Sequence, residues 1–354
     1  MTTKPLEVSL KIDLVSNTGD KMVPNTRFTE LLTDIEPSST TKTKCSSAHT
    51  SLRDHLKFHE SFKNRWESDF LAGSYSRDTA IRPKKTKDGY ERPDVDIIVV
   101  TNFSTDDHPD DVLQELSVAL GDVYNVERIN KRSVRVITTN AEIDVVPTVE
   151  SGSAYQIPDR DLGYWKSTDP PGHNAWSSTQ NQTFAGRFKP LVKLFKWWRR
   201  ENPTNKRPKG FVLEVLVSKH APSNENQYGE AFAQMLESIY ASYGALAETN
   251  IKPTIADPAL PGNDILSKVS ITDWKNFIER VRVHSGYARR AQDEDDMEEA
   301  TRLWQKLFGS RFKSTTNAAK AESLASYAAA PAVAAQGYTF PNAPAAPTKP
   351  RGFA

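Results

Sequence analysis

The chain has 354 residues, 37% of them hydrophobic, enough to bury a sizeable core in one large domain or two lobes. Its 46 Lys and Arg almost balance 45 Asp and Glu, so it lacks the overall basic excess of a dedicated duplex-binding protein. A single cysteine, Cys45, excludes an intrachain disulfide and argues against a Cys-rich zinc site. No apolar run has the length of a membrane span, and the N-terminal MTTKPLEVSLKID lacks the core of a signal peptide; the expectation is a cytoplasmic protein without a membrane partner.

In chain order, residues 1–26 are mixed in character. The spacing of Phe28, Leu31 and Leu32, then of Leu52, Leu56 and Phe62, predicts helix within residues 27–65, with a mostly polar break at 37–45. Between Ser68 and Val149 the pattern changes to short strands, expected at 70–72, 95–100, 134–138 and 143–149, with one helix at 111–120. The unbroken apolar run at 97–100 suits a strand covered on both faces. From about Trp165 the pattern turns helical: 187–202, 210–220, 230–246, 272–283 and 293–312. Pro253, Pro258 and Pro261 make 250–264 irregular. Residues 313–354 are rich in Ala, Pro, Ser and Thr, and are expected to be a disordered tail.

Chemistry concentrates in LAGSYSRDTAIRP (71–83) and RPDVDIIVV (92–100). Gly73 and Ser74 end a strand and open a helix, where glycine allows close backbone approach and free N–H groups face anions; taken alone, such a pair also suits an ordinary turn. Asp94 and Asp96, two residues apart at the start of an apolar strand, point to one face. Two like charges there are unfavourable without a cation, though an exposed edge with two solvated acids fits equally well. Asp144, in AEIDVVPTVE, supplies a third acid on another strand; Glu142 on the same face is its rival, and Asp144 is preferred because it is set deeper in the apolar run. Three converging carboxylates could hold two divalent metals, one activating a ribose hydroxyl and one holding a triphosphate.

Gly-Ser, Asp-x-Asp and a later lone Asp resemble the polymerase-beta-like nucleotidyltransferases. YQIPD (155–159), W-x-x-TDPPGH (165–173), RFKPLVKLFKWWRREN (187–202), KGFVLEVLV (209–217) and DPALPGNDI (257–265) narrow the resemblance to the cGAS/DncV-like CD-NTases and the oligoadenylate synthetases, over roughly residues 50–310. The resemblance implies an α/β (α+β) bilobal fold: a nucleotidyltransferase lobe with a mixed sheet and N-terminal helices at 1–165, and a helical lobe at 166–312 completing the cleft. It implies Asp94, Asp96 and Asp144 as catalytic metal ligands for two Mg2+ ions, with Mn2+ as a substitute. Gly73, Ser74 and Lys196 would bind the donor triphosphate, and Phe211, where relatives place a Tyr, would stack on its base. Read from the residues alone, Lys193 and Lys196 lie off the buried stripe of their helix and suit solvated positions.

The implied reaction joins nucleoside triphosphates (ATP, GTP or UTP) into a cyclic dinucleotide or trinucleotide, which in bacteria activates an effector in anti-phage (CBASS) defence. A monomer needing no nucleic acid is the expectation. Alternatives are transfer of a nucleotide to RNA or a small molecule, linear oligonucleotide synthesis activated by nucleic acid, and an inactive scaffold; the three acids argue against the last. Val146, beyond Asp144 on its strand, is a candidate wall of the acceptor site. His55 and His59, at helical spacing but with no third ligand, the tryptophans and the acidic run at 293–299 read as structural, and Arg289–Arg290 has no assignable purpose.

Overall fold

The computed structural model describes residues 23–313 except 88, 153 and 205–207; most of the expected tail lies outside the described residues. Two helices come first, α1 (Asn25–Ile35) and α2 (Ser39–Phe58). The break between them is far shorter than the polar composition of 37–45 suggests. The Ser38 side chain accepts from the Thr41 N–H at 3.1 Å and caps α2, so the Ser/Thr run is already helical. Cys45 and Ala48 on its inner face are buried, and this packing outweighs the modest helix propensity of the run.

A seven-stranded mixed sheet follows. Its main path runs β1 (Trp66–Ala72), β4 (Asp94–Thr101), β7 (Glu142–Ser151), β6 (Val134–Ile137) and β5 (Asn125–Ile129). Strands β8 (Ala154–Asp159) and β9 (Tyr164–Thr168) extend from the end of β7, and β2 (Lys85–Thr86) with β3 (Gly89–Tyr90) forms a separate hairpin. The four expected strands are present, while β5, β8 and β9 were not anticipated. Between β1 and β2 lies the single turn α3 (Gly73–Ser76); between β4 and β5 lies α4 (Pro109–Gly121), begun by a proline with Asp110 and Asp111 in its first turn.

Alternation along the strands sorts their side chains. Val95, Ile97 and Val99 of β4 and Ile143 and Val145 of β7 join one core with α2 and α4. Ile98 and Val100, on the opposite face, pack with Phe70 and Ala72 of β1 and against Val146 and Tyr155. Asp94, Asp96 and Asp144 occupy that second face, so the acids stand at one end of an apolar strip.

The rest is helical: α5 (Pro170–Thr183), α6 (Phe188–Glu201), α7 (Gly210–His220), α8 (Tyr228–Glu248), α9 (Ile271–Asp293) and α10 (Met297–Phe308). Their core takes in Trp198, Trp274 and Trp304, and also Phe28, Leu31 and Ile35 of α1. Helix α1, expected with the sheet lobe, therefore packs into the helical core, and α2 alone of the two covers the sheet. Among the described residues no helix is long and apolar enough to cross a membrane.

Several motifs prove to be pins within this frame. Asp169 caps α5 through the Gly172 N–H at 2.8 Å. His173 Nε2 donates to Asp257 at 2.8 Å, tying α5 to the irregular segment, where Asp257 also accepts from the Ala259 and Leu260 N–H groups. Fully buried Asp159 holds Arg132 and Lys131 of the β5–β6 turn. His55 bonds the Ala119 carbonyl and His59 bonds Asp122. Arg289 grips Glu230 and Glu237 of α8.

Candidate active site

Strand pairing brings the three acids together. Strands β4 and β7 run parallel with Asp96 opposite Asp144 and Asp94 opposite Glu142. One oxygen each from Asp94, Asp96 and Asp144 lies within 4.8 Å of the other two. Desolvation, reinforced by the charges of Asp94 and Asp144, pushes Asp96 up to about 7; desolvation by its neighbours and the charges of Asp144 and Glu142 raise Asp94 as well, although its side chain is exposed. Asp144 is steadied by Asn130 Nδ2 at 2.9 Å and Ser133 Oγ at 3.1 Å. Glu142 is turned aside to Arg135 Nη1 at 2.9 Å. Hard oxygen donors in a cluster whose charge is unfavourable alone fit a divalent cation such as magnesium.

Gly73 sits against this cluster. Its φ of 68° lies in the left-handed region, and a Cβ there would fall 1.7 Å from Asp96 Oδ2. Glycine thus serves two needs: the turn into α3 and the close approach to an acid of the triad. The next residue, Ser74, faces the same cleft, whose volume is ≈ 850 Å³, within the range that holds small-molecule ligands. The far wall comes from the helical part: Lys196 of α6, Lys209, and Gly210 and Phe211 opening α7. The Phe211 ring meets His173 and Trp176 edge-on, at centroid distances of 4.8 and 5.8 Å, and the Arg77 guanidinium is 5.3 Å from its centre.

All seven residues singled out in the sequence thus line or adjoin one cleft, but Lys196 is not the solvated lysine that helical spacing alone suggests. It is 4% exposed, and its ammonium donates to the Thr79 carbonyl, Thr79 Oγ1 and Glu214 Oε1 at 3.1, 3.0 and 2.8 Å. Lys193 is likewise buried, bound to Glu36 and Asp78. Helix α6 is enclosed on nearly every side, and each inward lysine meets a carboxylate.

Sequence reasoning missed Glu214, Arg77 and Arg135. Glu214 is fully buried and also accepts from Arg77 Nε at 2.9 Å, Arg77 Nη2 at 3.2 Å and Thr79 Oγ1 at 2.9 Å. Despite its burial, the two cations hold its carboxyl down at about 2. The available signal was one acid inside the apolar run FVLEVLV, which only a buried cationic partner makes tolerable. Arg77 and Thr79 follow the Gly-Ser turn while Glu214 and Lys196 lie in helices, so the network closes the base of the cleft from both sides.

Comparison with known proteins agrees with this geometry. The model of the Second Messenger Oligonucleotide or Dinucleotide Synthetase domain matches residues 22–181. A cyclic AMP-AMP-AMP synthase of an Acinetobacter species is 45% identical over 338 residues, spanning 94% of this chain and 98% of the relative. The chain belongs to the CD-NTase family. A cyclic AMP-AMP-GMP synthase of Enterobacter hormaechei is 27% identical, over 81% of this CD-NTase and 91% of the relative. Among solved structures, CdnG of Bradyrhizobium diazoefficiens in complex with GTP has a TM-score of 0.67 at 14% identity, covering 83% of this chain and 97% of its own. E. coli CdnC with ATP has a TM-score of 0.65 at 18% identity, covering 82% and 99%. These two show the shared fold. The protein is therefore a nucleotidyltransferase of the class that makes cyclic oligonucleotides.

Proposed function

We propose that this CD-NTase condenses three molecules of ATP into cyclic AMP-AMP-AMP, releasing pyrophosphate at each step. The observation that carries this reading is the acid triad beside the Gly73–Ser74 turn, in a chain 45% identical over nearly its whole length to a synthase of that product. The relative at 27% identity, named for a product with one guanine, supports a three-membered ring and leaves the base choice to this chain's own cleft.

Asp94, Asp96 and Asp144 hold two Mg2+ ions in this reading. When bound, they lower the pKa of the attacking ribose hydroxyl and offset charge on the α-phosphate and leaving pyrophosphate. The protein's own groups do the positioning. Gly73 and Ser74 present backbone and hydroxyl donors to the donor triphosphate, and Phe211 offers a ring against its base. Lys196, joined by Arg77 and balanced by Glu214, gives the floor of the cleft a net positive charge toward the phosphates. Val146, partly buried beside Asp144, borders the acceptor. The two lobes divide near residue 165, with α1 contributing to the second. The enzyme works as a cytoplasmic monomer without a nucleic-acid activator, and its product acts on an effector in CBASS defence.

Mass spectrometry of products from an equimolar mixture of the four ribonucleoside triphosphates with magnesium tests the reading. The expected product is cyclic tri-adenylate alone. A ring containing guanine or a pyrimidine, or only linear oligomers, would overturn the product assignment.

A further inference from the structure

One guanidinium is built into the acid cluster. Arg135 stands on β6 directly opposite Asp144, and all three of its side-chain nitrogens donate to acids. Nε reaches Asp144 Oδ1 at 3.2 Å and Nη1 reaches Glu142 Oε2 at 2.9 Å. Nη2 reaches Asp94 Oδ1 at 3.1 Å and also bonds Asp144 Oδ2. Two of the three triad acids therefore already have a cation, and because it holds both oxygens of Asp144, a metal bound there would share or displace it. Glu142 is different: it belongs to the same patch but not to the triad. Arg135 can release Asp94 and Asp144 and still keep one carboxylate partner.

We propose that Arg135 is a surrogate cation. It neutralises Asp94 and Asp144 and keeps them in place before metal arrives, then withdraws to Glu142 when the metal–nucleotide pair enters. This rests on reading the triad as the metal site. Two consequences follow from a guanidinium held on those carboxylates. Free metal must compete with a fixed guanidinium and binds weakly to the nucleotide-free enzyme. A bound triphosphate adds negative charge to the cleft and tips the exchange, so metal and nucleotide bind together, which guards against idle metal loading.

Titration of the full-length protein with Mn2+ and no nucleotide, with free ion counted by electron paramagnetic resonance, tests this. Arg135→Gln is expected to bind Mn2+ at least about tenfold more tightly than the unaltered enzyme. Arg135→Lys keeps the charge but puts one ammonium in place of a three-nitrogen fork, too few donors to keep every contact to Asp94, Glu142 and Asp144, and is expected to tighten binding by at least about threefold. If net charge alone mattered, the lysine variant would match the unaltered enzyme; if Arg135 only braced the acids, both variants would bind more weakly. Either result overturns the proposal. A site that Asp96→Asn abolishes, yet that Arg135→Gln does not tighten, removes the surrogate role and leaves the metal site standing. Absence of Mn2+ binding in every variant, with ATP present as well, removes the metal reading itself and this inference with it.

Discussion

Single residues decide how closely the phosphate-binding turn can approach the acids. At Gly73 a positive φ and a hypothetical Cβ only 1.7 Å from Asp96 Oδ2 act together. Gly73→Ala is expected to move both the turn and Asp96, lowering stability by about 2 kcal/mol or more and activity by at least about 100-fold. Urea denaturation and a pyrophosphate-release assay check it; near-native turnover would contradict the described contact. The triad and the turn were legible in the sequence because their signals are local: a glycine at a strand end, and acids spaced by two on apolar strands. The preference for Asp144 over Glu142 also followed from how deep each sits in its run. Arg135 was not legible, since its partners are set by the register of β6 on β7 and of β4 on β7.

At the level of elements, the joint between the Gly-Ser turn and helices α6 and α7 carries the cleft. Glu214 there balances Arg77 and Lys196 out of contact with water. Removing it leaves two buried cations uncompensated, so Glu214→Ala is expected to reduce the unfolding free energy by about 3–5 kcal/mol. Denaturant titration reads this directly; a loss below about 1 kcal/mol would show that the network is weakly coupled to folding. Arg77 and Glu214 are 137 positions apart in the chain, Lys196 and Thr79 117, and Lys193 and Glu36 157, and for that reason the lysines of α6 looked solvated from helical spacing alone. Propensity misled at another element: the polar run at 39–45 is helical because Ser38 caps it and Cys45 packs inward. The hairpin β8–β9 escaped notice because its pairing with the end of β7, not its composition, makes it a sheet.

Across the whole molecule, two cores meet at one cleft, and buried histidines make their stability depend on pH. Burial, aided by Arg53 at His49 and Arg280 at His284, lowers both to about 4. Trp198 Nε1 donates to His284 Nδ1 at 2.9 Å, a bond that needs the neutral ring. A histidine depressed in the fold is neutral there, while the unfolded chain takes up its proton first near pH 6.5. The two histidines' contribution should thus be constant above about pH 6.5 and fall between 6.5 and 4, by up to about 3 kcal/mol each, against an opposing gain as Asp96, raised to about 7, takes up its proton. Thermal melts across that range check it: the melting temperature of His284→Gln relative to the unaltered enzyme should rise as pH falls from 6.5 to 4, and a constant difference would remove His284 from the account.

The measurement that bears most directly on the central claim pairs Asp96→Asn with the unaltered enzyme, following pyrophosphate release from ATP with magnesium and the melting temperature without metal. Asp96 is a half-buried, desolvated acid between two others, so the amide should abolish turnover and raise metal-free stability by about 1–3 kcal/mol. Lost activity with a higher melting temperature is the predicted result. Full activity in a folded Asp96→Asn protein would contradict the assignment of the triad as the catalytic centre.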